Sequence, residues 1–293
     1  MKRFYTESFI GSARCGSPVH ADTTRIGPTC VFLSAPLVAD SGEAGFRSRL
    51  GHTISLSRPR RLYRDLVENG LKLLLVILQA FDDLQTTVVE RNSEGFRAID
   101  AGPLTMGYRV SNERAGYDMY RRLVYCKGAY ILHMIRMMMW DSKTGDQNFK
   151  ELMRDFVRTY AGKAATTEDF KAMVEKHMTP ALNAAGDGKM DWFFNEYVYG
   201  TALPTYSFSS SFEKDANGDV VLGFTLTQSG VDDKFLMVVP VYFELADGRA
   251  VHLGRIRVMG NNSMSGKVPL KGMKDVPKRA LINYNDDVLA LTK

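Results

Sequence analysis

The chain has 293 residues, of which 45% are hydrophobic and 24% charged. These proportions exclude a disordered, collagen-like or coiled-coil chain and leave room for about two domains, each able to bury a core. The formal net charge is +5, but residues 1–62 hold nine Lys/Arg against four Asp/Glu while the remainder holds 29 of each sign. The surplus therefore belongs to one end of the chain, and nothing resembles the basic stripe of a folded nucleic-acid binder.

Residues 1–62 are rich in Gly, Ser, Pro, Thr and Arg and keep neither a helical nor a strand period. They read as an irregular segment, either a disordered extension or a stretch whose reading frame is disturbed. No apolar run suited to a secretory signal follows Met1-Lys2-Arg3. Cys15 and Cys30 could pair in an oxidising compartment, but with Cys126 they read more simply as three free thiols. The most apolar stretch, Leu71–Leu78, is interrupted by Lys72 and is far shorter than the roughly 20 residues of a membrane span.

From Tyr63 onward the period becomes helical. A helix is expected over Asp65–Glu90, with Leu71, Leu74, Leu75, Leu78 and Phe81 on its apolar face. A second follows over Tyr117–Trp140, a third over Gln147–Tyr160, and a fourth over Thr167–His177. Thr166 is the expected N-cap of the fourth, with Glu168 and Asp169 in its first turn, where the helix dipole favours carboxylates. A short aromatic helix, Met190–Tyr199, ends at Gly200. Beyond Pro204 the period switches to two. Val220–Leu226, Phe235–Leu245 and Val251–Val258 read as strands, and Asn217-Gly218 and Asp247-Gly248 as tight hairpin turns. The fold class is thus multi-domain α and β, a helical lobe over residues 63–206 followed by a small antiparallel β-sandwich over 207–293.

The residue chemistry offers no complete active site. None of His20, His52, His133, His177 and His252 lies in H-E-x-x-H or pairs at helical spacing. No G-x-S-x-G, phosphate loop or dinucleotide fingerprint is present. Cys126 reads as a small buried residue, His133 as a core or boundary histidine, and Met137-Met138-Met139 as packing.

Five segments in order carry more information. They are Gly102–Val110, Val124-Tyr125-Cys126-Lys127-Gly128-Ala129 with Ile131–Arg136, Phe149 with the helix around it, Thr167-Glu168-Asp169-Phe170, and Asp191-Trp192-Phe193-Phe194 through Tyr199-Gly200 to Pro204-Thr205-Tyr206. Together these segments resemble the alanyl aminopeptidase family of gluzincin zinc metallopeptidases over roughly residues 95–206. The resemblance implies that the helical lobe is the remnant of a thermolysin-like catalytic domain, and that the chain corresponds to the C-terminal part of such an enzyme. It implies a peptide substrate or ligand and zinc as the cofactor of the intact family.

One site residue is carried over, Tyr125, as a catalytic group. In the family the tyrosine of this Y-x-K-G-A motif stabilises the oxyanion of the tetrahedral intermediate, the work of a phenol donor aimed at developing charge. The rest of the family's site does not carry over. Gly51-His52 resembles the end of the zinc motif, and counting back puts Glu43 and Arg47 where the histidines belong and Ala44 where the general base belongs. The third ligand would fall near Leu66, with Glu68 close by on that helix. No metal ligand is assigned, and this chain is expected to hold zinc poorly. The alternative reading is a non-catalytic protein that binds peptides or proteins on the same scaffold. Apolar helix faces that the family packs against missing elements are expected to favour self-association.

Overall fold

The structure, a computed structural model, describes residues 3–4, 83–110 and 118–293. The irregular segment expected over 1–62, apart from Arg3–Phe4, and most of the helix expected over Asp65–Glu90 lie outside the described residues. What is seen of that helix, α1, covers residues 83–89. Two turns of 3₁₀ helix follow, Ala98–Ala101 and Leu104–Val110, the second broken at Gly107.

Helix α2 runs over residues 119–139 and changes winding along its length. Arg121–Lys127 is a π-helix and Gly128–Met139 is α-helical. Helix α3, Gln147–Tyr160, has the bounds that its period predicts. Its start is tied to α2 by Arg136, whose guanidinium donates to both oxygens of Asp146 at 2.9 and 2.7 Å. Helix α4 covers Thr167–Lys176 and is held by the cap expected at Thr166. The Thr166 hydroxyl accepts from the Asp169 amide at 3.1 Å, and the Thr166 amide donates back to the Asp169 carboxylate at 2.8 Å. Thr166→Ala removes this reciprocal pair and is expected to cost about 1 kcal/mol. Urea denaturation checks this, with Thr166→Ser as the variant that keeps the cap. The aromatic helix α5 is a single α turn, Asp191–Phe193, continued by the π-helical Phe194–Val198.

The β-elements are β1 (Arg3–Phe4), β2 (Ala165–Thr166), β3 (Thr205–Lys214), β4 (Val220–Ser229), β5 (Leu236–Glu244), β6 (Ala250–Met259), β7 (Asn262–Leu270), β8 (Arg279–Ile282) and β9 (Leu291–Thr292). β1 and β2 pair with each other. The rest form two sheets, ordered β7-β4-β3-β9 and β6-β5-β8. Their inner faces meet through Leu222, Val241, Ala280 and the partly buried Phe208, Phe212, Leu253, Ile256 and Ile282. This is the expected sandwich with one departure: β9 pairs with β3 in parallel. The hairpins β3–β4 and β5–β6 turn at the predicted dipeptides, where Gly218 and Gly248 take φ of 76° and 85°, conformations that glycine adopts without steric cost. A register shift between β5 and β6 sets one extra residue, Leu253, against the Val241/Tyr242 step. This bulge lets Leu253 and Ile256, three apart in sequence, both reach the inner core.

Strand β5 is buried along its whole length, because one face of its sheet meets β3–β4 and the other meets the helices. One cluster of buried side chains runs from Val88 through Tyr130, Met134, Phe193 and Tyr197 to Phe235, Val239 and Leu289. Polar side chains reinforce the junction. Arg255 on β6 donates to the Met137 carbonyl at 2.8 Å, at the negative end of α2, and Arg257 donates to Ala184 O at 2.9 Å. Residues 283–291 pass over α2 and are stitched to it. Tyr130 donates to Gln85 Oε1 at 2.7 Å, Gln85 donates to Ala290 O at 3.1 Å, and His133 Nε2–H donates to Asn285 O at 2.8 Å.

Candidate functional site

Tyr125 lies in the π-wound part of α2, half-buried. The ring of Tyr120 stands edge-on to it, with centroids 5.7 Å apart and planes at 85°. A π turn inserts one residue relative to an α turn. Its signature is the Gly128 amide, which reaches back five residues to Leu123 O. Cys126 and Lys127, within the wide turn, are both buried.

Three of the five segments that carry the sequence resemblance converge on this turn. Ala98 and Val110, from the 3₁₀ turns, share a small apolar cluster with Met119 and Leu123, which Met106 and Tyr120 flank. Gly128 sits where a Cβ would meet the Leu104 side chain at 3.7 Å, an ordinary packing distance. The third contact comes from just beyond α5: Lys127 is fully buried and its Nζ donates to Gly200 O at 3.0 Å. Burial lowers the Lys127 pKa to about 8.

Among the described residues, Cys126, His133 and His177 sit in packing or capping positions. Cys126 is a buried thiol. His133 is 5% exposed, and burial pulls its pKa down to about 4. His177 caps the end of α4, with Nε2 2.9 Å from Asp155 Oδ2. Met138 and Met139 are core residues.

Two groups not singled out in the sequence are displaced from their ordinary behaviour. Glu196 on α5 accepts from the Leu236 amide at 2.6 Å, and its other oxygen is buried with no hydrogen-bond partner. Burial, with a smaller push from Asp232, raises its pKa to about 8. Asp287, 3% exposed, accepts from the Tyr242 hydroxyl at 2.7 Å, and burial raises its pKa as well. A signal for Glu196 and Lys127 exists in the sequence. Lys127 lies four residues after the apolar Leu123, and Glu196 is bracketed by Phe193-Phe194 and Tyr197-Val198. In both cases a charge stands on a stripe that the helical period commits to burial.

The arrangement places the half-buried Tyr125 phenol on the wide turn of α2. It does not by itself supply a metal. Among the described residues no group of three or more His, Cys, Asp and Glu fits a metal ion, so no zinc-dependent step is assigned to them. Glu43, Ala44, Arg47, His52, Leu66 and Glu68 lie outside the described residues. Among the described residues no helix is long and apolar enough to cross a membrane.

No curated protein matches the chain. Residues 79–197 match the family described as the peptidase family M1 domain, a span that holds α1 to α5 almost entirely, the π-wound turn and Tyr125. The helical part of the chain is therefore similar to a peptidase family M1 domain.

Proposed function

We propose that this chain is the C-terminal part of a zinc aminopeptidase-type unit, of the gluzincin class, in which Tyr125 is the oxyanion donor. The observation that carries this reading is the convergence of Gly102–Val110, Tyr125–Gly128 and Asp191–Gly200 on one wide turn, all but the last three of these residues lying in the span 79–197 that matches a peptidase domain. The helical lobe is then the remnant of a thermolysin-like catalytic domain, and residues 207–293 the sandwich that follows it. In the complete unit, zinc would polarise the peptide carbonyl and activate water. This chain's own contribution is the Tyr125 phenol, a hydrogen-bond donor toward the oxygen that gains charge.

The chain on its own is expected to bind well under one zinc per molecule and to hydrolyse alanyl and leucyl amides at background rate. Metal analysis of the purified chain and an amide-release assay check both. Stoichiometric zinc with turnover would overturn the claim of inactivity. It would then require Tyr125→Phe to lower kcat by about 10²–10³-fold, the usual loss for one oxyanion donor. Peptide capture without turnover would favour the non-catalytic binding protein.

A further inference from the structure

Two helical segments in this molecule are wound wide, Arg121–Lys127 and Phe194–Val198, and one side chain joins them. Lys127 is wholly buried and bonds to Gly200 O, just beyond the second segment. A buried ammonium is costlier than an apolar side chain of the same length, so its presence calls for a local reason. Gly200 supplies one. A Cβ there would lie 2.5 Å from the Glu196 carbonyl oxygen and 2.6 Å from that of Asn195. The backbone at 200 therefore folds back against the carbonyl end of α5, where negative potential gathers and a cation is favoured.

The wide turn also sets where Tyr125 points. The helix is pinned on both sides of it, by Met119 and Leu123 in the small cluster and by Tyr130, Met134 and Ile135 in the main core. Relaxing the π turn to an α turn would rotate the residues before it by about 100° relative to Gly128–Met139, and Tyr125 would turn with them.

We propose that Lys127 is a positioning residue, whose bond to Gly200 holds the wide turn that presents Tyr125. The use of that presentation rests on the oxyanion reading of Tyr125, whereas the geometry stands without it. Among the described residues, the titratable groups on the elements packed against this turn bond elsewhere or face solvent, apart from the second Glu196 oxygen, which is buried without a partner. Glu196 takes the Leu236 amide, the Tyr199 hydroxyl bonds to Glu168, Asp100 pairs with Arg97, and Arg109 is exposed. Burial is what lowers the Lys127 pKa.

The test uses the full chain labelled with [ζ-¹³C]tyrosine, with the Tyr125 signal identified by its loss in Tyr125→Phe. In Lys127→Met the Tyr125 signal is expected to shift while that of Tyr242, on β5, stays in place. In the wild type, with the lysine ε-carbons ¹³C-labelled as well, the Tyr125 signal is expected to move in step with the titration of Lys127, whose pKa burial lowers, and this step should be absent in Lys127→Met. An unshifted Tyr125 signal in a folded Lys127→Met, or a wild-type Tyr125 signal that ignores the Lys127 titration, overturns the proposal. If Lys127→Met does not fold, the wild-type titration decides alone. The readout needs neither zinc nor turnover, so failure of the peptidase reading and failure of this proposal remain distinguishable.

Discussion

Phe193→Ala is expected to cost about 3–5 kcal/mol, the range for deleting a fully buried aromatic ring. Phe193 is 0% exposed and packs against Trp192, Phe194 and Tyr197, with ring centroids 5.6, 6.1 and 5.4 Å away. Tyr197 in turn lies 5.7 Å from Phe235, so the ring stack crosses from α5 into the edge of the sandwich. The cavity left by alanine cannot close easily, because its walls are a π-wound helix and strand β5, both held by their own hydrogen bonds. Whole domains are stable by only about 5–15 kcal/mol, so this variant should approach the limit of folding. Phe193→Leu fills most of the space and should lose well under half as much. Urea denaturation of the pair measures it. A loss below about 1 kcal/mol for alanine would show that the stack is not the hinge of the core.

Glu196→Gln is expected to abolish a decline in stability that the wild type shows on the alkaline side. The folded state holds the Glu196 proton up to about pH 8, against an ordinary value of 4.5. The stabilisation from that proton is complete below 4.5 and is lost as the pH rises through about 8. Glutamine mimics the protonated acid and keeps an oxygen for the Leu236 amide. The two proteins should be about equally stable at pH 4.5, and the variant more stable at pH 9 by about 2–3 kcal/mol, allowing for partial solvent screening. His133 and His252, both lowered to about 4 by burial, act in the opposite sense, with stability present above 6.5 and lost as the pH falls through about 4. They are common to both proteins and cancel in the difference. Thermal melts across this range provide the measurement, and parallel curves would sink the assignment.

The sequence carried those parts of the fold that local chemistry decides. The 3.6-residue period bounds α3, Thr166 with Asp169 marks the start of α4, and Asn217-Gly218 and Asp247-Gly248 fix two hairpins. Strand β7 was hidden, apart from Val268 and Leu270, because Asn262–Ser265 is exposed on both faces, so no alternation is written into it. The parallel pairing of β9 depends on a partner nearly ninety residues earlier, which no local pattern encodes. The π winding was also invisible in advance. It arises because two separately packed stretches of α2 need one residue more than an α turn provides, which is a tertiary demand. The candidate site was legible only as far as Tyr125 and its flanking motifs. The role of Lys127 depends on Gly200, 73 residues away.

The stitching of residues 283–291 across α2 has a temporal consequence. The bonds from Gln85 to Ala290 and from His133 to Asn285 close loops of 205 and 152 residues. A ribosome releases the helices long before it releases the segment that covers them. Until then Tyr130 and His133 face water or a chaperone, and the apolar side of α2 is an adhesive surface. Closure entropy grows only slowly with loop length, but such distant contacts reward the chain late. Final locking of the core thus waits until residues 283–291 have been made, and that segment acts as the timekeeper of folding.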